Sequence, residues 1–430
     1  MNTTYPRIHL KYGHVTGTRQ DGVSIFQGIP FAQAPVGSLR FAAPLPALPF
    51  GERDCRQKGP LAPQLPSRLA DVMGPLNDTQ SEDCLHLTVY TPATKSERKP
   101  VVIWLHGGAW QSGGGALDWY NAAALAAHGD VIVVAPNYRL AALGWLYVPG
   151  ETANVGLLDQ ELAIQWVHNN IEAFGGDPES ITVMGQSAGG SCAVALLARK
   201  PLFQRIILQS ASLGRGFRLA SDAARLSALV LDAAGAESLE HARSLPVTKL
   251  LQAQRAPAVL NALQSDEIGR ALFCPVIDGD IIANDIAACR TLAAGRADVL
   301  AGFTLNEMAA FPNVQINSAS QHAGEEIFGA PTRLWAQAAT QAGRHAWIYR
   351  FDYAPSQRFG ACHCIELPFL FDTFKAFSDA PMLEGANANA CAVISKHMQS
   401  NWSAFIHGKS PSWAPFPHIN IINHPKPAAG

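Results

Sequence analysis

The stretch SITVMGQSAGG, residues 180–190, is an apolar, β-branched run that stops at Gly185, presents one hydroxyl at Ser187 and restarts with Ala188, Gly189 and Gly190. Strand-forming residues before the serine and small residues after it describe a strand that turns directly into a helix. Within it lies the pattern G-x-S-x-G. In a strand-to-helix reversal this sharp, the serine backbone is strained and no Cβ fits two residues to either side, which accounts for Gly185 and Gly189. Ser187 then stands at the start of a helix, where free N–H groups and the helix dipole favour a developing negative charge. A serine that merely caps a helix would occupy the same place, so the reading depends on its surroundings.

Those surroundings alternate between two periodicities. PVVIWLHGG (100–108), GDVIVVAPNYR (129–139), RIILQS (205–210), ADVLAGFT (297–304) and AWIYRF (346–351) are, like SITVMG, short runs that are apolar throughout. Such runs suit strands buried on both faces. Between them, residues 116–128, 156–174 and 187–200 carry helical patterns, with Leu158, Leu162, Trp166 and Ile171 at helical spacing in the second. The fold class expected is α/β: a mostly parallel central sheet with helices on both faces and its active site at the carboxyl ends of the strands. The first hundred residues differ. RIHLKYG and VSIFQGIPFA suggest small antiparallel edge strands, and a Pro-rich stretch from Pro44 to Pro75 suggests a long irregular loop. Without a low-complexity linker or internal repeat, residues 1–430 read as one domain, with a helical insertion at about 215–270.

Composition narrows the function classes. With 48% hydrophobic and 15% charged residues the chain reads as globular, and a net charge of −2 without any Lys/Arg run disfavours nucleic acid and anionic lipid as partners. The N-terminus MNTTYPRIHLKYG lacks the apolar segment of a secretory signal, and no run is long enough to span a bilayer, so a cytoplasmic protein is expected. The 8 cysteines include no C-x-x-C pair, and no metal or cofactor is expected. CHC at 362–364 does not change this, because alternate residues of an extended segment face opposite ways.

A second chemical element is HGGAW (106–110), a Gly-rich turn after a buried strand. The N–H groups of Gly107 and Gly108, with that of Ala188, would form an oxyanion hole. His106 reads as structural.

Taken together, FQGIPFAQAPVGSLRFAAP (26–44), SEDCLHLTVYTP (81–92), NYRLAALGWL (137–146), the segment from Asn154 to Gly190, PVIDGDII (275–282), GFTLNEMAAF (302–311) and FGACHCIELPFLF (359–371) resemble the type-B carboxylesterases, the cholinesterase-like branch of the α/β-hydrolase superfamily. The resemblance implies an α/β-hydrolase fold and a serine carboxylesterase acting on a small-molecule ester. It also implies a triad of Ser187, Glu307 and His363, with His363 as general base and Glu307 holding its tautomer. From the residues alone, neither acid nor base stands out among 14 histidines and many carboxylates, and Asp278 and Asp352 are the next acids to test.

The resemblance further implies ion pairs Arg40–Glu82 and Arg139–Asp159. Ala62 stands where many members have a cysteine, leaving Cys84 without its usual partner and Cys55 as a substitute. Cys364 replaces the usual glycine after the histidine. Only 56 positions separate Glu307 from His363, so the cap at about 312–335 is shortened and a more open site is expected. Gln186, neutral where cholinesterases carry Glu, and Trp110 are candidate pocket residues. Short-to-medium acyl esters of aryl or alkyl alcohols are the expected substrates. Lactone or carbamate hydrolysis by the same triad and a non-catalytic binding protein of the same fold are the alternatives.

Overall fold

The computed structural model describes residues 5–93, 97–264, 266 and 269–423. Among the described residues, ten strands form one sheet: β1 (Thr18–Gln20), β2 (Val23–Pro30), β3 (His86–Pro92), β4 (Lys99–Leu105), β5 (Ile132–Pro136), β6 (Gly176–Gln186), β7 (Arg205–Gln209), β8 (Asp298–Thr304), β9 (Ala346–Phe351) and β10 (Ile419–Ile422). Their spatial order is β10-β9-β8-β7-β6-β4-β5-β3-β2-β1. Every pair from β10 to β5 is parallel, and the three pairs that end at β1 are antiparallel.

Both faces are covered, as runs without polar alternation require. Val101, Ile103 and Leu105 of β4 join one core with Ile164 and Val167 of helix α2 (Val155–Asn170), Leu196 and Leu197 of α3 (Ala188–Arg199), and Trp335 of α5 (Ala330–Gln341), while α4 (Ile286–Ala294) adds Ala293 and Ala294. Val102 and Trp104 of the same strand face a second core with Leu125 of α1 (Ala123–Gly129) and Trp402 and Phe405 of α6 (Ala388–Ile406). This is the α/β-hydrolase architecture expected, with the carboxyl ends of β4, β6, β8 and β9 facing one rim.

Local differences have local causes. The pattern over 116–128 is broken into a 3-10 turn at Asp118–Tyr120 and α1, because the Asn121 side chain accepts the Ala123 N–H at 3.1 Å and restarts the helix. The second pattern leaves α-helix at Asn170 and tightens into a 3-10 turn, Ile171–Phe174, ended by Gly175 at φ 85°. Arg7–Leu10 lies outside the main sheet, pairing antiparallel with Gly13–Thr16, which pairs parallel with Gly51–Asp54. His86–Pro92, absent from the strands read by pattern, connects the antiparallel edge to β5.

Residues 220–264 form four helices over the rim: Ala220–Ala233, Leu239–Ser244, Val247–Ala253 and Pro257–Gln264. Residues 318–329 form a helix, Ser318–Gly324, that passes through a π-helical turn, Glu325–Gly329, into α5. Cys55 and Cys84 are both buried free thiols. Both expected ion pairs are present. Arg139 and Asp159 are fully paired inside the protein at 2.9 and 2.7 Å, with Arg139 also donating to the Ala42 carbonyl at 2.8 Å. Arg40 binds Glu82 and donates to the carbonyls of Arg243 and Leu245, tying the rim helices to the N-terminal loop.

Candidate active site

Ser187 sits between β6 and α3 at φ 53°, ψ −118°, a conformation that costs of order 1–3 kcal/mol for a residue with a Cβ. The reversal is held by close backbone approach. A Cβ on Gly189 would stand 2.1 Å from the Leu105 carbonyl oxygen, and one on Gly185 would stand 2.5 Å from the Gly189 oxygen. The Ser187 N–H donates to Gln209 O at 2.9 Å, anchoring the elbow to β7.

The Gly-rich turn lies against this elbow. A Cβ on Gly107 would meet the Gln186 side chain at 2.0 Å, and Gly108, at φ 117°, would place one 1.9 Å from Ser112 O. His106 fixes the turn. Fully buried and stacked on Tyr138, it donates from Nδ1 to the Gly107 carbonyl at 2.7 Å, and burial pushes its pKa down to about 4. Gln64 exchanges two hydrogen bonds with Gly113, at 2.7 and 2.9 Å. Among the described residues the N–H groups of Gly107, Gly108 and Ala188 have no acceptor, so they are available to an oxyanion.

Glu307 and His363 follow β8 and β9, 56 positions apart, and meet through a bridge between Asn306 and Cys362. Asn306 N donates to Ala361 O at 2.8 Å, and Ala361 N donates back to Asn306 Oδ1 at 3.1 Å. His363 Nδ1 donates to Glu307 Oε2 at 2.5 Å, and Glu307 Oε1 accepts the Thr304 N–H at 2.8 Å. Phe328 of the π-helical turn and Phe311 pack their rings 5.0 and 5.6 Å from the imidazole. Burial works to lower the His363 pKa, but the Cys364 sulfur and the Glu307 carboxylate outweigh it and leave it well above the ordinary imidazole value.

The remaining sequence candidates fall in different places. Gln186 is 1% exposed, and its amide lies 3.2 Å from both His363 Nε2 and Cys364 Sγ, so it is packed against the histidine rather than exposed as a pocket wall. Trp110 lines a small cavity beside Ser187 and donates to Cys192 Sγ at 3.2 Å. Asp278 accepts the Ile282 N–H in a turn, and Asp352 pairs with Arg350 at 2.7 Å, so both alternative acids are engaged elsewhere. Cys364 adopts φ 76° and lines the active-site cavity.

Sequence reasoning missed Gln64 and Glu366. Glu366 lies fully buried near Glu307 and His363, with Oε1 accepting from Gln209 at 3.4 Å and Oε2 without a partner among the described residues. Burial and the Glu307 charge push it up to about 7. Neither residue has a local pattern that marks it.

Ser187 and His363 open into one cavity of about 380 Å³, lined also by Gly108, Gln111 and Phe311. A neighbouring cavity of about 30 Å³ touches Ser187, Trp110, Ser212 and Phe328. It shares the lining residues Ser212 and Gly216 with a third, about 310 Å³, lined mainly by apolar side chains such as Val194, Phe217, Ile281 and Ile286.

A strained serine, a buried histidine–carboxylate pair and unsatisfied backbone N–H groups at one rim are the parts of an acyl-transfer hydrolase. The family whose sequence model matches the chain, over residues 4–325, is the carboxylesterase family, and the chain belongs to it. It is 36% identical over 440 residues to the probable N-octanoylanthranilate hydrolase of Rhodococcus erythropolis, covering 93% of this chain and 92% of that protein. It is 33% identical over 456 residues to the para-nitrobenzyl esterase of Bacillus subtilis, covering 95% and 91%. A solved thermophilic PNB esterase superposes with a TM-score of 0.88 at 31% identity, covering 98% of this chain and 96% of that one. The protein is a carboxylic-ester hydrolase of the serine carboxylesterase type. Among the described residues no helix is long and apolar enough to cross a membrane.

Proposed function

We propose that Ser187 is the nucleophile, His363 the general base and Glu307 its orienting carboxylate, with Gly107, Gly108 and Ala188 as the oxyanion hole. The observation that carries this is the buried 2.5 Å bond from His363 Nδ1 to Glu307, which leaves Nε2 as the proton acceptor at the wall of the cavity that also holds Ser187. His363 Nε2 takes the Ser187 proton as Oγ attacks the ester carbonyl. The tetrahedral oxyanion is met by the three N–H groups, and the leaving alkoxide receives the proton from His363. Water, deprotonated by the same nitrogen, then releases the acid and restores the serine.

The substrates proposed are short-to-medium acyl esters. The 380 Å³ cavity at Ser187 and the apolar 310 Å³ cavity on the other side of Ser212 and Gly216 support room for an acyl chain of this size. Acyl transfer from nitrogen is the second reading, favoured by the Rhodococcus relative named for an N-octanoyl substrate. A cytoplasmic location remains part of the proposal.

The test is hydrolysis of p-nitrophenyl butyrate by the wild type and Ser187→Ala, with p-nitrophenyl palmitate alongside. Turnover of butyrate over palmitate, lost by several orders of magnitude in the variant, supports the reading. Equal rates for both proteins, or a preference for palmitate, contradict it.

A further inference from the structure

The walls of the two cavities that touch Ser187 carry a concentration of one charge. Arg68, Arg255 and Arg270 line the larger one, and Arg68, Arg215 and Arg270 line the smaller. Among the described residues neither lining contains an aspartate or glutamate, Ser265, Glu267 and Ile268 lying outside those described. A chain of net charge −2 has therefore gathered four guanidinium groups around its nucleophile.

Structural ion pairs account for only part of this group. Arg270 binds Asp266 at 3.2 Å and donates to the Arg215 carbonyl at 3.1 Å. Arg215 donates to the Gly269 carbonyl and lies 5.7 Å over the Phe311 ring, but its buried Nε has no partner among the described residues. Arg68 is exposed and makes no side-chain hydrogen bond or ion pair among the described residues. Burial and then the charge of Arg68 lower the pKa of Arg215, so these two cations stand near each other across the small cavity. Arg68 and Arg255 are exposed to solvent at the mouth of this space and Asp266 also acts on Arg215, so the group is partly screened, but no acid among the described residues of the cavity lining occupies the donors that Arg68 and Arg255 present to an entering anion.

Phe311 joins this group to the chemistry, since its ring lies 5.7 Å from the Arg215 guanidinium and 5.6 Å from the His363 ring. Guanidinium groups suit a carboxylate, which they bind through paired, planar hydrogen bonds. Resting on the ester-hydrolase reading, we propose that the natural substrate of this site carries a free carboxylate, received by Arg68 with support from Arg215, Arg255 and Arg270. Gln186 fits this assignment: it places an uncharged amide beside His363, where a carboxylate would repel such a substrate.

The experiment compares two matched pairs of esters, each corrected for spontaneous hydrolysis. One puts the carboxylate on the acyl half, mono-p-nitrophenyl adipate against p-nitrophenyl hexanoate. The other puts it on the alcohol half, 4-(butanoyloxy)phenylacetate against 4-methylphenyl butanoate. The expected result is a kcat/KM ratio of about tenfold or more for the charged member of at least one pair at low ionic strength, falling as salt is added. Arg68→Gln/Arg255→Gln should lower that ratio about tenfold, and Arg68→Lys should retain most of it. Neither substitution removes a structural bond seen among the described residues. Equal or greater turnover of the neutral member in both pairs, or a preference that survives the double variant, overturns the proposal. Failure to hydrolyse any of the four esters contradicts the esterase reading itself and removes the basis of the proposal with it.

Discussion

His363 Nδ1 and Glu307 Oε2 are 2.5 Å apart, and each residue is only 2% exposed. A buried imidazole held this way has its proton fixed on Nδ1, so Nε2 is presented as a base. Replacing Glu307 with Gln keeps the shape but allows the other tautomer. Glu307→Gln is expected to lower kcat/KM for p-nitrophenyl butyrate by roughly 10³–10⁴, as when a triad carboxylate elsewhere is made an amide, with an unchanged circular dichroism spectrum. A loss under tenfold would mean that the pair is only structural.

The Cys364 sulfur and the Glu307 carboxylate together set the pH dependence. Because the His363 pKa is raised, the imidazole stays protonated and unable to accept the serine proton where an ordinary histidine has already titrated. The rise of kcat/KM with pH should have its midpoint above the unperturbed value of about 6.5, and should move down in Glu307→Gln. A midpoint below that value in the wild type would contradict this electrostatic assignment.

Glu366 makes a separate prediction, read in stability. Its pKa is raised to about 7 in the folded protein, so between the unfolded carboxyl value of about 4.3 and 7 the native state holds a proton that the unfolded chain has lost. The stabilisation is fully present below that window and is lost as pH rises through it. Melting temperature followed across this range should fall less steeply for Glu366→Gln than for the wild type. Parallel curves would show that the carboxyl is not buried as described.

Two substitutions test the frame around the elbow. Gly189→Ala forces a Cβ to within 2.1 Å of a backbone oxygen that cannot rotate away, so thermal unfolding should show a loss of about 3 kcal/mol or more, and activity should disappear with it. Asp159→Asn leaves Arg139 buried without its counter-charge, a change that costs about 3–5 kcal/mol in such settings. Glu82→Gln should cost less, because the Arg40–Glu82 pair is partly exposed whereas Arg139 and Asp159 are almost wholly shut off from solvent. A reversed ranking would mean that the two pairs have been misjudged.

The elbow, the Gly-rich turn at 106–110 and the order of strands and helices were legible because each rests on neighbours in sequence. Gly185 and Gly108 are demanded by approaches within one turn, Gly189 is marked by the G-x-S-x-G spacing although the oxygen it must clear is that of Leu105 on another strand, and the apolar runs directly reflect a sheet covered on both faces. Glu307 and His363 could be placed only by resemblance to a family, because nothing near either residue marks it and a bridge between Asn306 and Cys362 brings them together. Gln64, Glu366 and the cavity arginines gain their meaning from tertiary placement alone. Gln186 was read as a pocket wall, but the close approach of Gly107 turns its side chain toward His363.

Whether Ser187 carries the acyl group is decided by intact-protein and peptide mass spectrometry after rapid acid quenching of the enzyme during turnover of p-nitrophenyl butyrate. One butyryl group is expected on the peptide that carries Ser187, absent from Ser187→Ala and accumulating in the quenched wild type whenever deacylation is the slower step. A butyryl group on another residue in an enzyme whose activity survives Ser187→Ala would contradict Ser187 as the nucleophile.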